Sequence, residues 1–322
     1  MLTASDIRTI TGKAWIHDQD WELSSCLFGE PFLEDDFLFF WDGSRLTFCG
    51  WPLSRDLLGP GFEDMVRDEV GKLTILFKPM AVEVWGPRDF PLEGILDPSY
   101  RLASIAEADP DHVNLQIELP SYRTPRSTAM ENARRAGRMG YRLLHQSPAL
   151  LTWEHIRLVE TFLERRDLSL YDRAYSAVMP ALVRFPGSRL FSVFHDSGLL
   201  GFKIMRELNS DLVISVSSYF QKGVKFVSDF LNHAIITHYR DSSFRILDMG
   251  YSGHRKLLEY KMHWKPTINN GPYWERTYTH RSHHPSGRYP SWWIRDILEP
   301  ALRIAGSKLS SAATGRTGGL LG

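Results

Sequence analysis

The sequence predicts a mixed α/β (α+β) protein in two parts, and three observations support this. Hydrophobic residues make up 43% of the 322 residues and aromatic residues 12%, which is enough for buried cores and excludes wholesale disorder. From Leu151 onward, the apolar runs follow the order α-α-β-β-β-α-β-α-β. Finally, a length of 322 residues fits about two domains.

The zero net charge conceals a strong asymmetry along the chain. Residues 1–120 contain 9 Lys and Arg against 22 Asp and Glu, a balance of −13. Residues 121–322 contain 29 against 16, a balance of +13. The second part would therefore attract an extended anionic ligand. Attraction between the two parts across a domain interface is an equally good explanation, and both can hold.

Composition also excludes several protein classes. The sequence has no run of about 18 apolar residues, so a polytopic membrane protein is excluded. The N-terminal residues contain neither an apolar segment nor a signal-peptide cleavage site, so we expect a cytoplasmic protein. Cys26 and Cys49 lack metal-ligand or redox spacing, which excludes a disulfide framework and a four-cysteine zinc site.

The acidic part begins with a predicted hairpin. Phe37–Trp41 and Arg45–Cys49 are aromatic and β-branched runs on either side of an Asp-Gly-Ser turn. Further along, Pro60–Lys72 has the composition of a helix, whereas Leu73–Phe77 and Met80–Trp85 predict strands.

A composition shift at Pro120–Pro125 predicts the main domain boundary. Just before it, Val113–Leu119 alternates with period two and predicts a half-buried strand. We therefore expect an acidic mixed α/β domain over residues 1–120 and a catalytic domain over residues 121–285. An amphipathic segment and a disordered tail should follow over residues 286–322.

The segment Arg126–Arg142 predicts a basic helix. In it, Arg134, Arg138 and Arg142 are spaced i, i+4, i+8 on one face, and Arg135 flanks them. Such a face is usually solvated. Arginine forks also match phosphate oxygens bidentately, so contact with tRNA or other phosphate groups stays open.

The following elements complete the predicted order. Thr152 is a plausible N-cap for a helix from Trp153 to Arg166, but His155 at N3 leaves the usual capping box absent. Helices are also predicted near Tyr175–Val183 and over Val227–Tyr239 and His254–His263. Strands are predicted over Arg189–Phe194, Leu199–Met205, Asp211–Ser218, Phe244–Met249 and about Tyr273–Tyr278.

Two strings in this region resemble a known superfamily. LFSVFHDSGLLGFKIM resembles the strand pair that carries the acyl-donor strand of GNAT acyltransferases. ILDMGYSGHRKLLEYKMHW resembles the strand–Gly–helix–Lys–Trp signature of their Fem-type peptidyltransferase branch and of phosphatidylglycerol lysyltransferase catalytic domains. The matching residues are Gly250, Tyr260, Lys261 and Trp264. The relatives usually have Gly after that Trp, where this chain has Lys265.

The resemblance covers about residues 120–280 and implies a GNAT-like mixed sheet with a crossover helix. It leaves open whether residues 1–120 are a degenerate second GNAT-like unit. The implied activity is transfer of an acyl or aminoacyl group to an amine or hydroxyl of a small molecule, peptide or lipid. The activated donor would be aminoacyl-tRNA, which the charge split slightly favours, or acyl-CoA. No tightly bound cofactor and no DNA partner are expected.

The resemblance implies that Lys261 stabilises negative charge on the donor or on the tetrahedral intermediate. Asp248 and Tyr251 border Gly250 at the carboxyl end of the predicted strand, where α/β proteins commonly bind ligands. Asp248 would accept the amine proton or orient the amine, and Tyr251 or Tyr260 would protonate the leaving group. Glu207, at the end of the presumed donor strand, is a reserve base. From chemistry alone, Lys261 would be a surface lysine and Asp248 a turn residue. Since no Ser or Cys lies in a nucleophile motif, direct attack in a ternary complex is expected.

The loop Gln221–Phe226 partly matches the Gln/Arg-x-x-Gly-x-Gly/Ala phosphate loop of the superfamily. Val224 stands at the first Gly position and Phe226 at the last, which weakens the case for coenzyme A. A solvated loop capped by Ser228 is the alternative. The candidates for donor binding are Gln221, Lys222, Gly223, Lys225, Ser228 and Gly250.

Two C-terminal features leave other functions open. His280, His283 and His284 invite a metal site, but the adjacent Pro-Ser-Gly predicts a flexible loop, so we expect no metal. Trp292 and Trp293 lie in an amphipathic segment that packs back on the domain or contacts a membrane or partner. The alternatives to an acyltransferase are therefore a catalytically idle GNAT-like module that binds RNA or a partner, and a membrane-surface enzyme acting on lipid head groups.

Overall fold

A computed structural model describes most of the chain between residues 29 and 282. The described residues are 29–34, 37–52, 61–86, 91–106, 111, 113–147, 149–164, 183, 187–196, 198–252, 254–270 and 274–282. The chain divides into two compact units. The first consists of residues 1–131, 207–215 and 236–285, and the second of residues 132–206, 216–235 and 286–322.

The described residues form thirteen strands and five helices. The strands are β1 (Glu30–Glu34), β2 (Phe37–Trp41), β3 (Arg45–Pro52), β4 (Ala81–Gly86), β5 (Tyr100–Ala106), β6 (Asn114–Glu118), β7 (Arg142–Gln146), β8 (Ser188–His195), β9 (Gly198–Glu207), β10 (Leu212–Phe220), β11 (Ile246–Tyr251), β12 (Thr267–Asn270) and β13 (Trp274–His280). The helices are α1 (Phe62–Phe77), α2 (Thr128–Arg138), α3 (Trp153–Glu164), α4 (Val227–Arg240) and α5 (Arg255–Met262).

The strands form two mixed sheets. One has six strands in the order β1-β2-β3-β4-β13-β5, and the other has seven in the order β12-β6-β11-β10-β9-β8-β7. In the second sheet, β7, β8 and β9 pair antiparallel, whereas β10 and β11 are parallel, with Leu212–Ile214 beside Ile246–Asp248. A parallel pair needs a crossover connection, and α4 supplies it. The predicted fold class, a GNAT-like mixed sheet with a crossover helix, is confirmed.

The six-stranded sheet packs its aromatic face against α1. Phe32 and Phe39 stack with ring centroids 5.6 Å apart, and Phe48 packs against Phe39 at 5.1 Å with its ring tilted by 37°. All three are buried together with Val66 and Val70 of α1. Full burial of one such side chain contributes about 1.5–3 kcal/mol, so this cluster stabilises the packing of the sheet on α1.

The β2–β3 hairpin is confirmed, and Asp42 explains its turn. The Oδ1 atom of Asp42 accepts hydrogen bonds from the backbone N–H groups of Ser44 (2.8 Å) and Arg45 (2.6 Å). Gly43 lies between them with φ 91°, a conformation that favours glycine. Local turn chemistry therefore determines this connection.

The predicted strand Leu73–Phe77 is wrong, because α1 continues through it. Val66, Val70 and Leu73 are buried at i, i+4 and i+7, so the helical period extends past the predicted end. The helix ends at Lys78, which adopts φ 48° and donates its backbone N–H to the carbonyl oxygen of Thr74.

The predicted basic helix is also shorter than expected, and Arg142 does not belong to it. The N–H of Tyr141 donates to the carbonyl of Ala136, and that of Gly140 donates to Gly137, which together form a Schellman motif. Gly140 adopts φ 82° there, so the helix stops at Arg138 and the chain turns into β7.

Strand membership crosses the composition shift at residue 120. β6, which precedes it, pairs with β11 and β12, whereas β13 pairs with β4 and β5 of the other sheet. The last predicted strand therefore exists, but it belongs to the six-stranded sheet. The domain limits 1–120, 121–285 and 286–322 stay a prediction.

The other predicted elements from β8 to α5 are present, with ends that differ by up to two residues. β1, β5, β7 and β12 were not predicted. Except for Val183, the helix predicted near Tyr175–Val183 lies outside the described residues, as does the segment with Trp292 and Trp293. Within the described part of the chain, no helix is both long and apolar enough to cross a membrane.

The start of α3 corrects a further expectation. His155 takes the place of the Glu or Gln of a capping box, because its Nδ1 atom accepts the backbone N–H of Thr152 at 3.1 Å. The Nε2 atom then carries the proton and donates to the hydroxyl of Ser192 at 2.9 Å. Burial lowers the pKa of His155 to about 4, so this imidazole is neutral at pH 7.

Candidate functional site

The candidate site of the first unit is built around a buried carboxylate. Asp248 of β11 is 1% exposed. Its oxygens accept hydrogen bonds from the Asn114 side-chain amide (3.0 and 3.1 Å), the Gln116 side-chain amide (3.1 Å) and the Gly250 backbone N–H (2.6 Å). The antiparallel register of β6 on β11 places Gln116 directly opposite Asp248. The carboxylate is therefore held in one orientation by neutral donors.

The residues that hold Asp248 correct the prediction for β6. Alternation predicted a half-buried strand with its polar side chains in water, whereas Asn114 and Gln116 are 1% and 7% exposed. Sequence reasoning missed both residues. The available signal was an Asn-x-Gln alternation on a strand of otherwise apolar residues, since buried amides need hydrogen-bonding partners.

A buried lysine lies beside this carboxylate. Lys261 of α5 is 9% exposed, and its Nζ atom donates to the carbonyl oxygens of Met249 (2.7 Å) and Gly250 (2.9 Å). Gly250 adopts φ 71°, and a Cβ atom there would lie 3.3 Å from the carbonyl oxygen of Ser215. Glycine is therefore required at this bend of β11, which presents two successive carbonyl groups to the ammonium group.

Burial shifts the pKa of Asp248 and of Lys261 toward the neutral form, and the attraction between the two charges shifts each pKa back. Burial raises the pKa of Asp248, while the hydrogen bonds from Gln116, Gly250 and Asn114 and the attraction of Lys261 lower it. Burial lowers the pKa of Lys261 to about 8, against the attraction of Asp248. Lys261 is therefore mostly charged at neutral pH and becomes neutral in mildly alkaline solution.

Helix α5 is anchored at both ends, which positions Lys261. The Nδ1 atom of His254 accepts the backbone N–H of Leu257 at 3.2 Å and caps the amino end. Trp264, just past the carboxyl end, is 1% exposed, and its carbonyl oxygen accepts the hydroxyl of Tyr122 at 3.0 Å. The predicted Gly–helix–Lys–Trp pattern therefore has a physical basis: the Trp fixes the helix end, and the Lys reaches the glycine bend.

The remaining catalytic candidates are placed differently. Tyr251 ends β11, and its side chain lies outside the description. Tyr260 precedes Lys261 on α5 and is half-buried. Glu207 ends β9, where it accepts the Tyr239 hydroxyl at 3.4 Å, next to the start of β10. Because β10 and β11 are parallel, Glu207 lies at the amino end of this strand pair and Gly250 at the carboxyl end. The structure brings Asp248, Gly250 and Lys261 together, but not Glu207.

The donor-loop candidates lie in the second unit. The backbone N–H of Gln221 donates to the Leu200 carbonyl oxygen at 2.8 Å, and Gly223 adopts φ 83°. Phe226 has φ 67° immediately before α4, a left-handed conformation that is strained for a residue other than glycine. Ser228 lies inside the first turn of α4, so it is not the cap. Lys222 and Lys225 are exposed.

Helix α2 presents three of the four predicted arginines together. Arg134, Arg135 and Arg138 are exposed on it. The side-chain amide of Asn132 donates to Asp229 of the first turn of α4 at 2.9 Å. The hydroxyl of Tyr141 donates to the carbonyl oxygen of Lys225 at 3.0 Å, so the loop and α2 are tied together within the second unit. Arg142 starts β7 instead and lies 3.5 Å from Asp196.

Among the described residues, no group of three or more His, Cys, Asp or Glu is placed to hold a metal ion. His280 contacts the hydroxyl of Ser282 at 2.6 Å and the ring of Tyr100. His283 and His284 lie outside the described residues.

No protein-family model matches the sequence, and no curated protein matches it. Solved structures do. A conserved protein of unknown function from Bacteroides thetaiotaomicron is 15% identical, with TM-score 0.58, over 87% of this chain and 98% of that one. L-PGS from Bacillus licheniformis is 13% identical, with TM-score 0.50, over 84% and 94%. A tandem GNAT protein from the clavulanic acid biosynthesis pathway is 11% identical, with TM-score 0.45, over 77% and 79%.

The first two likenesses extend over most of both chains, but their sequence identity is low. They therefore show the fold alone, and they agree with the mixed sheets and crossover helix described above.

Proposed function

We propose that this protein transfers an acyl or aminoacyl group from an activated donor to an amine or hydroxyl acceptor. The observation that carries the proposal is the buried Asp248–Lys261 pair at the carboxyl end of a parallel strand reached through a crossover helix. Ligands of α/β proteins commonly bind at the carboxyl ends of such strands. Ionisable groups whose pKa values are shifted by burial and a specific charge partner are typical of functional sites.

In the proposed reaction, the acceptor nitrogen or oxygen attacks the carbonyl carbon of the donor. A new C–N or C–O bond forms, and the C–S bond of a thioester or the C–O bond of an ester breaks. The acceptor loses one proton and the leaving group gains one. Tyr251 or Tyr260 is the proposed donor to the leaving group, and its phenolate then takes up the proton that the acceptor loses, so the protons balance. The Lys261 ammonium would stabilise the oxyanion that develops between these events.

The contacts favour one of the two roles considered for Asp248. Its carboxylate already accepts hydrogen bonds from Asn114, Gln116 and Gly250, and it attracts Lys261. Burial raises the pKa of this carboxylate, but at 1% exposure and enclosed by these donors it is not open to an acceptor amine. We therefore assign Asp248 to keeping Lys261 charged and in place, and not to removing the acceptor proton.

Aminoacyl-tRNA is the donor that we favour over acyl-CoA. The excess of 13 positive charges after residue 120 and the exposed Arg134, Arg135 and Arg138 suit an extended polyanion. Phe226 and Val224, at the positions where the phosphate loop of the superfamily has small residues, argue against coenzyme A. Binding to tRNA should weaken steeply as salt rises.

A catalytically idle module is the second candidate, and one observation favours it. The ammonium group of Lys261 already donates to two backbone carbonyls, so it also has a structural role at the Gly250 bend. In an idle module this structural role would be its only one.

The test begins with mass spectrometry of the small molecules and RNA that co-purify with the native protein. Turnover is then measured with acetyl-CoA and with a pool of charged tRNA against a panel of amines. Lys261→Met should lower turnover about 10²–10³-fold. Lys256→Met removes an exposed lysine from the same helix and should leave turnover unchanged. Absence of transfer with every donor, from protein that still binds RNA, would favour the idle module.

A further inference from the structure

A small polar cleft lies in the first unit at the carboxyl end of β6, which is the end farther from Gly250. It has a volume of about 200 Å³ and is formed by β6, the loop that follows it and the start of β12. Its walls are Gln116, Ile117, Glu118, Ser121, Tyr122, Arg123, Lys265 and Thr267. Nothing in the proposed transfer reaction uses this cleft.

Two cations line the cleft, and neither has a neutralising partner among the described residues. The Arg123 guanidinium donates a 3.4 Å hydrogen bond to the carbonyl oxygen of Tyr122. In the part of the chain that the structure describes, neither Arg123 nor Lys265 has a carboxylate within ion-pair distance. The acid of the wall, Glu118, is exposed and is contacted by the hydroxyl of Ser121 at 3.5 Å. The cleft therefore presents two positive groups and one negative group to an occupant.

Lys265 is held in a conformation that a lysine rarely adopts. Its φ is 51°, in the left-handed region that favours glycine, and the other described non-glycine residues with positive φ are Lys78 and Phe226. A left-handed backbone costs an L-residue about 1–2 kcal/mol. Glycine at this position would have the same backbone without the strain, but it would remove a cation from the cleft.

The size of the cleft limits its ligand. Pockets for drug-sized ligands are larger, at roughly 300–1,000 Å³. The cleft therefore suits a molecule with few non-hydrogen atoms, and a whole coenzyme is too large for it.

We propose that this cleft binds a small zwitterion, with its anionic group between Arg123 and Lys265 and its ammonium group at Glu118. A simple anion would use the two cations but would be repelled by Glu118. A simple amine would use Glu118 and be repelled by the cations. A molecule that carries both groups pairs with all three charges of the wall.

A single residue, Gln116, would separate an occupant of the cleft from Asp248. Gln116 lines the cleft, and its side-chain amide donates to Asp248 at 3.1 Å. The binding proposal does not depend on acyl transfer, because affinity is measured without turnover. Its failure would leave the proposed function untouched, and the reverse also holds.

The first experiment measures binding by isothermal titration calorimetry with five probes. L-Alanine and phosphoethanolamine carry both kinds of charge and come from two sources, a free amino acid and a phospholipid head group. Acetate, methyl phosphate and ethylamine are the separate halves. At least one zwitterion should bind at least tenfold more tightly than either of its own halves. Equal binding of the corresponding anion, or no binding by any zwitterion up to about 10 mM, would overturn the proposal.

The second experiment uses variants whose stability and binding should change independently. Lys265→Gly should weaken zwitterion binding at least tenfold, while its melting temperature stays equal or rises because the backbone strain is relieved. Lys78→Gly is the matched control, since Lys78 is an exposed lysine with φ 48° away from the cleft. It should bind as the wild type does.

Glu118→Gln tests the ammonium end of the site. Loss of this carboxylate should weaken the zwitterion at least tenfold and strengthen acetate. If the variant bound the zwitterion more tightly, the cleft would be a simple anion site, and the proposal would be wrong.

Discussion

Lys261 and Lys265 are one helical turn apart in sequence, but the structure places them in opposite environments. Lys261 is buried, donates to the carbonyl oxygens of Met249 and Gly250, and is attracted by Asp248. Lys265 is exposed in a strained backbone conformation beside a cleft. Burial restricts the charge of Lys261 to fixed partners, whereas exposure leaves that of Lys265 available to a ligand. Neighbouring residues of one chemical type can therefore serve different purposes.

Among the variants that test this contrast, Lys261→Met should change the free energy of unfolding most. Loss of the ammonium group leaves the Asp248 carboxylate as an uncompensated buried charge, which should lower the free energy of unfolding by about 3–5 kcal/mol. Lys265→Met should change it by less than about 0.5 kcal/mol. Urea denaturation measures both values. The double variant Asp248→Asn/Lys261→Met should recover part of the loss, and equal losses in the two single Lys variants would contradict the contrast.

The second largest difference should appear in the pH dependence of the unfolding free energy, to which Lys261 contributes and Lys265 does not. The pKa of Lys261 is lowered from 10.5 to about 8 in the folded protein, so the folded state binds fewer protons than the unfolded state between these values. Stability must therefore rise with pH from about 8 to 10.5, and the cost of burying the charge is fully present below pH 8.

This contribution is on the order of 3 kcal/mol. It is measured as the difference in unfolding free energy between wild type and Lys261→Met at pH 7, 8, 9 and 10. Lys265→Met should keep the wild-type slope over the same range. A slope that is unchanged in Lys261→Met would show that the lysine does not titrate there.

Gln116→Leu should have a smaller effect, and it should change both the surroundings of Asp248 and the cleft. It removes one hydrogen bond to the buried Asp248 carboxylate and one polar group from the wall of the cleft. The free energy of unfolding should fall by about 1–3 kcal/mol. Gln116→Glu is the sharper control, because a second buried carboxyl beside Asp248 should make stability increase as pH falls. If Gln116→Leu were neutral, the amide would not hold the carboxylate.

The smallest effect should be that of Lys265→Gly on stability. Relief of the left-handed strain is offset by the greater freedom of glycine in the unfolded chain, so a gain between zero and about 1 kcal/mol is expected. Thermal unfolding measures it, with Lys78→Gly as the comparison. A loss of more than 1 kcal/mol confined to Lys265→Gly would mean that the lysine side chain packs structurally and is not held for a ligand.

Part of the fold could be read from local patterns. The strands β8 to β11 and the helices α4 and α5 follow from apolar periodicity and turn residues within short windows. The end of α1 could not, because Leu73–Phe77 is apolar enough for either element and the tertiary core decided for the helix. The extent of α2 was missed because Gly140 ends the helix through hydrogen bonds that a charge pattern does not reveal.

The candidate site divides in the same way. Lys261, Gly250 and Asp248 lie within fourteen residues of one another, so one short motif identified all three. Asn114 and Gln116 are separated from Asp248 by 134 and 132 positions, and strand pairing brings them to it. Glu207 was chosen from its place at the end of a strand, and the parallel arrangement of β10 and β11 leaves it at the other end.

The sequence by itself determined the order of elements from β8 to α5, the charge split between the two parts, and the chemical groups at residues 248 to 265. Those properties depend on residue type and local spacing, which act over a few turns or strand residues. Only the tertiary structure decided which strands share a sheet, that the amides of β6 are buried, and that Lys261 is enclosed while Lys265 is open. Each of these depends on contacts between segments that are distant in the sequence. Burial by such contacts changes the free energy of a charged group far more than its neighbours in the sequence do.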